Sequence, residues 1–323
     1  MRMRKETMVR LSGVVAALVT VAITGRIAGQ QPENAVRQTA FSAPVSGSTP
    51  QQVHFSRRAP RIGDEADQKL GLELRLTMTM RQGNQIVGKN QTALRSTQRR
   101  VITTTEVDNG RITAVRVRYP LATKEESAVD ATATPTPPTQ KTQPVQGKTY
   151  ICRRDAGENG ELIVTDEAGN RPPTDEYEIV AQQMQMVGRQ NPLAQFLAGR
   201  TISVGQKIEL PNDIARQLFN LAERFGKITQ FALTLRDVES NGSSTRAVFD
   251  ASVVATSNSA TQMRLEIGGP FVVDAATCRA QRIGLTGPIA MSQICGSYSA
   301  AYQMIGTGRL QMSIASDYRD ATR

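Results

Sequence analysis

LGLELRLTMTM, Leu70 to Met80, is the stretch on which the fold turns. Leu70, Leu72, Leu74, Leu76, Met78 and Met80 alternate with Gly71, Glu73, Arg75, Thr77 and Thr79. Successive side chains of a strand leave opposite faces, so this segment has one apolar face and one wet face. Strands of a parallel sheet are buried on both sides and read as unbroken apolar runs. One-sided alternation therefore points to an antiparallel sheet.

The same period recurs along the chain. VITTTEVDNGRITAVRVRY (101–119) reads as two β-branched strands joined at Asp108-Asn109-Gly110, a hairpin composition. Phe231, Leu233 and Leu235 alternate, as do Ala247, Phe249, Ala251 and Val253, then Met263, Leu265 and Ile267, then Leu310, Met312 and Ile314. At least eight strands follow from this pattern. Helical signals lie between them. PPTDEYEIVAQQMQMVG (172–188) offers Thr174 as an N-cap, acids Asp175 and Glu176 in the first turn, and a stripe of Tyr177, Val180, Met184 and Val187 ended by Gly188. A short turn is expected in NPLAQFLAG. PNDIARQLFNLAERFG (211–226) places Ile214, Leu218, Leu221 and Phe225 on one face, with Asn212 as cap and Gly226 as stop.

A one-sided sheet must cover its apolar face, and long twisted antiparallel strands coil. The expected architecture is α+β: a mainly antiparallel, curved, half-barrel-like sheet covered by two or three helices. The alternative is a β-sandwich with peripheral helices.

The ends set the domain plan and the compartment. Residues 1–10 carry four cations and one acid, followed by LSGVVAALVTVAIT and the small-residue exit GRIAGQQ. This reads as a signal peptide over 1–29. The apolar run of about 13 residues is shorter than the roughly 20 a spanning helix needs. The expected location is periplasmic or secreted, with no transmembrane span after signal removal; a retained N-terminal anchor is the alternative. Residues 30–50 read as a flexible leader, and 51–323 as one β-rich domain interrupted by a disordered Pro/Thr-rich loop at 129–147.

The formal charge is +10. Removing residues 1–30, with five cations and one acid, leaves about +6. The arginines are scattered, aromatics make up 4% of the chain, and Trp is absent. That composition argues against nucleic acid as a partner and for a solvated basic surface.

Motifs for chemistry are scarce. His54 is the single histidine, so a Ser-His or Cys-His arrangement would rest on one residue near the start of the mature chain. Ser-x-x-Lys, Gly-x-Ser-x-Gly and Cys-x-x-Cys do not occur. DAGENGELIVTD (155–166) approaches a calcium loop but has Gly157 where an acid or amide is needed and Asp166 in place of the bidentate Glu; a hairpin is the simpler reading. GRTISVGQK (199–207) has glycines one residue too far apart for a phosphate loop, and Gln206 intervenes. No cofactor is implied.

GRTISVGQKIELP (Gly199 to Pro211) is similar to a "G–hydrophobic–VG–LP" phrase of exported bacterial proteins of unknown function. A curved sheet wrapped over helices on an exported chain resembles the β half-barrel carriers of periplasmic lipids and lipoproteins. The phrase covers 13 of 323 residues and carries no functional residue across. The resemblance implies an apolar ligand inside the sheet.

CRAQRIGLTGPIAMSQIC, Cys278 to Cys295, holds two of the three cysteines. If the chain turns at Thr286-Gly287, residues whose numbers sum to 573 face each other, Cys278 and Cys295 among them. An oxidising compartment would then permit a disulfide, worth about 3 kcal/mol in the chain-entropy model. The competing reading is one unbroken strand with its turn at DAATC, which separates the sulfurs by roughly 50 Å.

These readings point to an exported, non-enzymatic carrier or binding module for an apolar ligand or lipoprotein. Leu72, Leu74, Leu76, Met78, Met184, Leu218, Phe231 and Leu233 are the candidate lining. A structural or interaction protein of the envelope without a small ligand is the alternative, and a hydrolase with an atypical site the third.

Overall fold

The computed structural model describes residues 51–130, 139–155, 160–219, 227–242, 244–258, 261–296 and 301–321. The expected signal peptide and leader lie outside these residues. Fourteen strands are seen among the described residues: β1 (Gln52–His54), β2 (Glu65–Gln82), β3 (Gln85–Asp108), β4 (Arg111–Asp130), β5 (Thr139–Thr142), β6 (Thr149–Arg154), β7 (Leu162–Asp166), β8 (Thr201–Ser203), β9 (Lys207–Glu209), β10 (Lys227–Asn241), β11 (Ser244–Asn258), β12 (Thr261–Asp274), β13 (Ala280–Cys295) and β14 (Tyr302–Arg319). Three short helices accompany them: α1 (Thr174–Gln183), α2 (Pro192–Leu197) and α3 (Asn212–Phe219). Strands hold 67% of the described residues, so the protein is mostly β rather than a balanced α+β fold. One large curved sheet of twelve strands, not closed into a barrel, replaces the sandwich alternative.

The sheet order is β7-β6-β4-β3-β2-β14-β13-β12-β11-β10-β9, antiparallel throughout, with β5 on β4. Two meanders meet where β14 enters between β13 and β2. Its register with β2 is unbroken from Gln303↔Arg81 to Arg319↔Glu65. β3 and β4 turn through Asn109 (φ 49°) and Gly110 (φ 71°), the two positive φ angles a two-residue type I′ loop demands.

Two cores form on this sheet. In the first, Leu74, Leu76 and Met78 of β2 join inward residues of β10 to β14, including Phe231, Leu233, Phe249, Leu265, Phe271, Leu285 and Met312. Leu193 and Leu197 of α2 and Ala215 of α3 close over it. In the second, Val115, Val117 and Tyr119 of β4, Tyr150 and Cys152 of β6 and Val164 of β7 pack on Tyr177 and Val180 of α1 and on Met184 and Val187 of the turn that follows it, so the expected stripe is buried although the helix ends at Gln183. The N-cap of α1 is Pro173 rather than Thr174, without a side-chain cap bond. α3 is described to Phe219, and the rest of its expected length lies outside the described residues.

The Pro/Thr-rich segment is more ordered than expected. β4 runs to Asp130, β5 pairs with it, and Val145 is fully buried in the second core. Residues 131–138 lie outside the described part.

The disulfide hairpin is not formed. Cys278, in the turn before β13, and Cys295, the last residue of β13, are free thiols, and the strand runs straight through Thr286-Gly287-Pro288. The turn lies at Asp274–Arg279, where Asp274 Oδ1 accepts from Thr277 N (2.8 Å) and Oγ1 (2.7 Å), and Cys278 takes φ 50°. Thr-Gly-Pro failed as a turn signal because it marks a mid-strand close approach. A Cβ on Gly287 would sit 1.9 Å from the Glu266 carbonyl oxygen. The β12–β13 pairing lapses between Leu265↔Ile289 and Gly268↔Thr286, and Pro288, with no N–H, sits in that gap.

Candidate functional site

Alternation puts Leu70 and Leu72 on the same face as Leu74, Leu76 and Met78. The latter are at most 5% exposed. Leu70 and Leu72 are only half-buried, because the two cores part above them. The gap is a cavity of about 310 Å³, at the lower end of the range that holds small ligands.

Sheet register builds its apolar floor. Leu72 pairs with Met312 and Leu70 with Ile314 across β2–β14. On the other side Leu72 pairs with Ser96 and Leu70 with Gln98 of β3. All six line the cavity. Ile179, Gln182 and Gln183 of α1 supply an opposing wall. Lys124 of β4 and the run Lys141 to Pro144 complete the lining. Gln143 fastens that run: its backbone N–H donates to Ala122 O (2.8 Å) and its Nε2 to Thr123 O (3.3 Å).

A polar block bounds the cavity. Arg100 is fully buried, donating from Nε to Gln68 Oε1 (2.6 Å) and from Nη1 to Gln183 Oε1 (3.1 Å). It ties α1 to β2 and β3 at the point where the cores meet. Burial pushes the Cys152 thiol up to about 12, against the opposing pull of Arg100. Burial likewise raises the Tyr119 phenol, again against Arg100. Both groups are held neutral near pH 7.

Two other depressions are more charged. One of about 270 Å³ is lined by Arg57, Arg58, Arg111, Arg189 and Arg279 together with Asp64. There Arg58 forms an ion pair with Asp320, and Arg279 lies 3.7 Å from Asp64. Another of about 380 Å³ shares Leu70, Gly71, Leu72, Ser96, Gln98 and Ser313 with the first cavity and adds Lys69, Glu73, Arg95 and Arg99.

Of the candidate lining residues, Leu72 faces the cavity. Leu74, Leu76, Met78, Phe231 and Leu233 are packed in the first core, Met184 in the second. Leu218 borders the arginine-lined depression. Sequence reasoning missed Ile179, Lys124 and the Lys141–Pro144 run. Periodicity finds faces, but it cannot tell which apolar residue lacks a covering partner.

His54 is exposed, with Nδ1 3.1 Å from Thr201 Oγ1. Among the described residues no cluster of three His, Cys, Asp or Glu could hold a metal, and no helix is long and apolar enough to cross a membrane.

No protein-family model matches the sequence, and no curated protein matches it either. Among solved structures, one of lipovitellin, concerned with its lipid–protein interactions, is similar at 8% identity and a TM-score of 0.37 over 81% of this chain; the chain spans 26% of lipovitellin. The translocator domain of the autotransporter NalP from Neisseria meningitidis gives 8% identity and a TM-score of 0.19, over 78% of this chain and 88% of that one. At such scores no ligand, partner or activity passes from those proteins to this one.

Proposed function

We propose that this protein is an exported, non-catalytic binding module that carries an apolar ligand, a lipid or the acyl part of a lipoprotein, between its sheet and α1. The supporting observation is the cavity itself. The inward face of β2 is packed tightly at Leu74 to Met78 and left half-covered at Leu70 and Leu72. Apolar surface left uncovered costs roughly 25 cal/mol per Å², and a ligand would recover that cost. The N-terminal signal reading supports a location in the periplasm or outside the cell.

The test is uptake of a fluorescent fatty acid by delipidated protein. Saturable binding is expected, weakened at least tenfold by Ile179→Trp, which fills the cavity from α1, with the melting temperature little changed. Absence of saturable binding would count against the reading. A second reading, an envelope interaction protein, draws on one end of the sheet. There Ile294, Gln303, Arg81 and Ile86 form one row across four strands, and Ile294 is 75% exposed. It predicts a crosslinked protein partner at Ile294 and no lipid uptake.

A further inference from the structure

The cavity is not uniformly apolar, and its charge is one-sided. Lys124 and Lys141 are direct register partners across β4–β5, and both line the cavity. Like charges set opposite each other destabilise a strand pair. Lys124 is relieved in part by Glu126, 2.5 Å away, but Glu126 does not line the cavity. Among the described residues no carboxylate does; the other polar lining groups are uncharged Ser, Thr and Gln side chains. The Lys124 side chain is 26% exposed, so its charge is less screened than that of a free surface lysine.

Building on the carrier reading, we infer the class of ligand: a single acyl chain ending in an anionic group. The anion sits between Lys124 and Lys141, relieving their repulsion. The chain lies over Leu70, Leu72, Met312 and Ile314. A carboxylate and a phosphate monoester offer the same chemistry to two lysines, so a fatty acid and an alkyl phosphate are both probes of it.

The test compares a dansyl-labelled undecanoic acid with its uncharged methyl ester on the delipidated full chain. The acid is expected to bind roughly tenfold more tightly at low salt, with the preference shrinking as salt is added. Lauric acid or dodecyl phosphate should displace it, and dodecanol should do so far less well. Lys124→Gln with Lys141→Gln should abolish the preference, so that acid and ester bind the variant equally. Lys141→Glu, a change at an exposed position, should reverse the preference without unfolding the chain. Equal binding of acid and ester by the unaltered protein, or a preference that survives both sets of variants, would overturn the inference while leaving the carrier reading intact. Binding of neither probe would overturn both.

Discussion

The two cores solve the problem of covering a sheet face in different ways. The first, from β10 across β14 to β2, is almost entirely apolar, with ring pairs such as Phe55–Phe249 (6.2 Å) and Phe231–Phe271 (6.1 Å) inside it. It reaches close packing through glycines, where one strand presses on the next. The second, around β4, β6, β7 and α1, buries polar groups and partners them. Glu176 Oε1 accepts from Lys148 Nζ at 2.5 Å and Oε2 from the Tyr150 hydroxyl at 2.6 Å. Arg154 donates to the carbonyls of Val187 (2.5 Å) and Gln185 (2.7 Å) after α1. A glycine-curved apolar face and a polar-latched helix do not merge seamlessly. The cavity lies along their junction, with Arg100 tying the two sides.

If the first core depends on close backbone approach, its glycines are its weakest point. Gly308→Ala places a Cβ 1.9 Å from the Arg75 carbonyl oxygen, and Gly287→Ala does the same at Glu266. Each is expected to cost about 3 kcal/mol or more, since strands rather than side chains must shift. Gly83→Ala, at φ 58° with open space around it, should cost only about 1–2 kcal/mol, the left-handed penalty alone. Urea denaturation of the three variants measures the contrast; equal losses would remove the argument from close approach.

The second core should instead be sensitive to pH. Burial works to raise the Glu176 carboxyl, but hydrogen bonds from Lys148 and Tyr150 outweigh it and hold it below the usual carboxylate range. Folding therefore favours the ionised form. Its contribution is complete above the unfolded value of about 4.3 and is lost as pH falls through the lower folded value. Glu176→Gln should cost about 1.5–3 kcal/mol at pH 7 and flatten the fall in melting temperature below pH 4.

The smallest effect separates the thiols. Denatured protein should show three free thiols by colorimetric titration. In the native state at pH 7.5, Cys295, half-buried at a strand end, should react first. Cys152 of the second core, raised to about 12, and Cys278 of the first, raised to about 11, should lag well behind. Two thiols missing under denaturing conditions would reinstate a disulfide.

Much of the sheet was legible because period-two alternation is a local signal. Leu70 to Met80 announces β2, and Asn109-Gly110 announces the β3–β4 hairpin. The stripe Tyr177, Val180, Met184, Val187 announced the face that α1 and the turn after it bury. What stayed hidden depends on contacts distant in sequence. Thr286-Gly287-Pro288 has turn composition, and only the neighbouring Glu266 backbone explains it as a mid-strand approach. The pairing of β14 with β2 joins residues more than 200 positions apart, so the floor of Leu72 with Met312 could not be read in advance. Lys141 to Pro144 sat in a segment whose proline content suggested disorder, yet Gln143 fastens it beside the cavity.

The most direct test of the central claim is photolabelling with a diazirine-bearing fatty acid, followed by peptide mapping of the adducts. The account predicts adducts concentrated on Leu70–Leu72, Ile179–Gln183 and Met312–Ile314, displaced by excess unlabelled fatty acid and lost in Ile179→Trp. Adducts confined to exposed apolar positions such as Ile86 and Ile294, or undiminished by competitor, would contradict it.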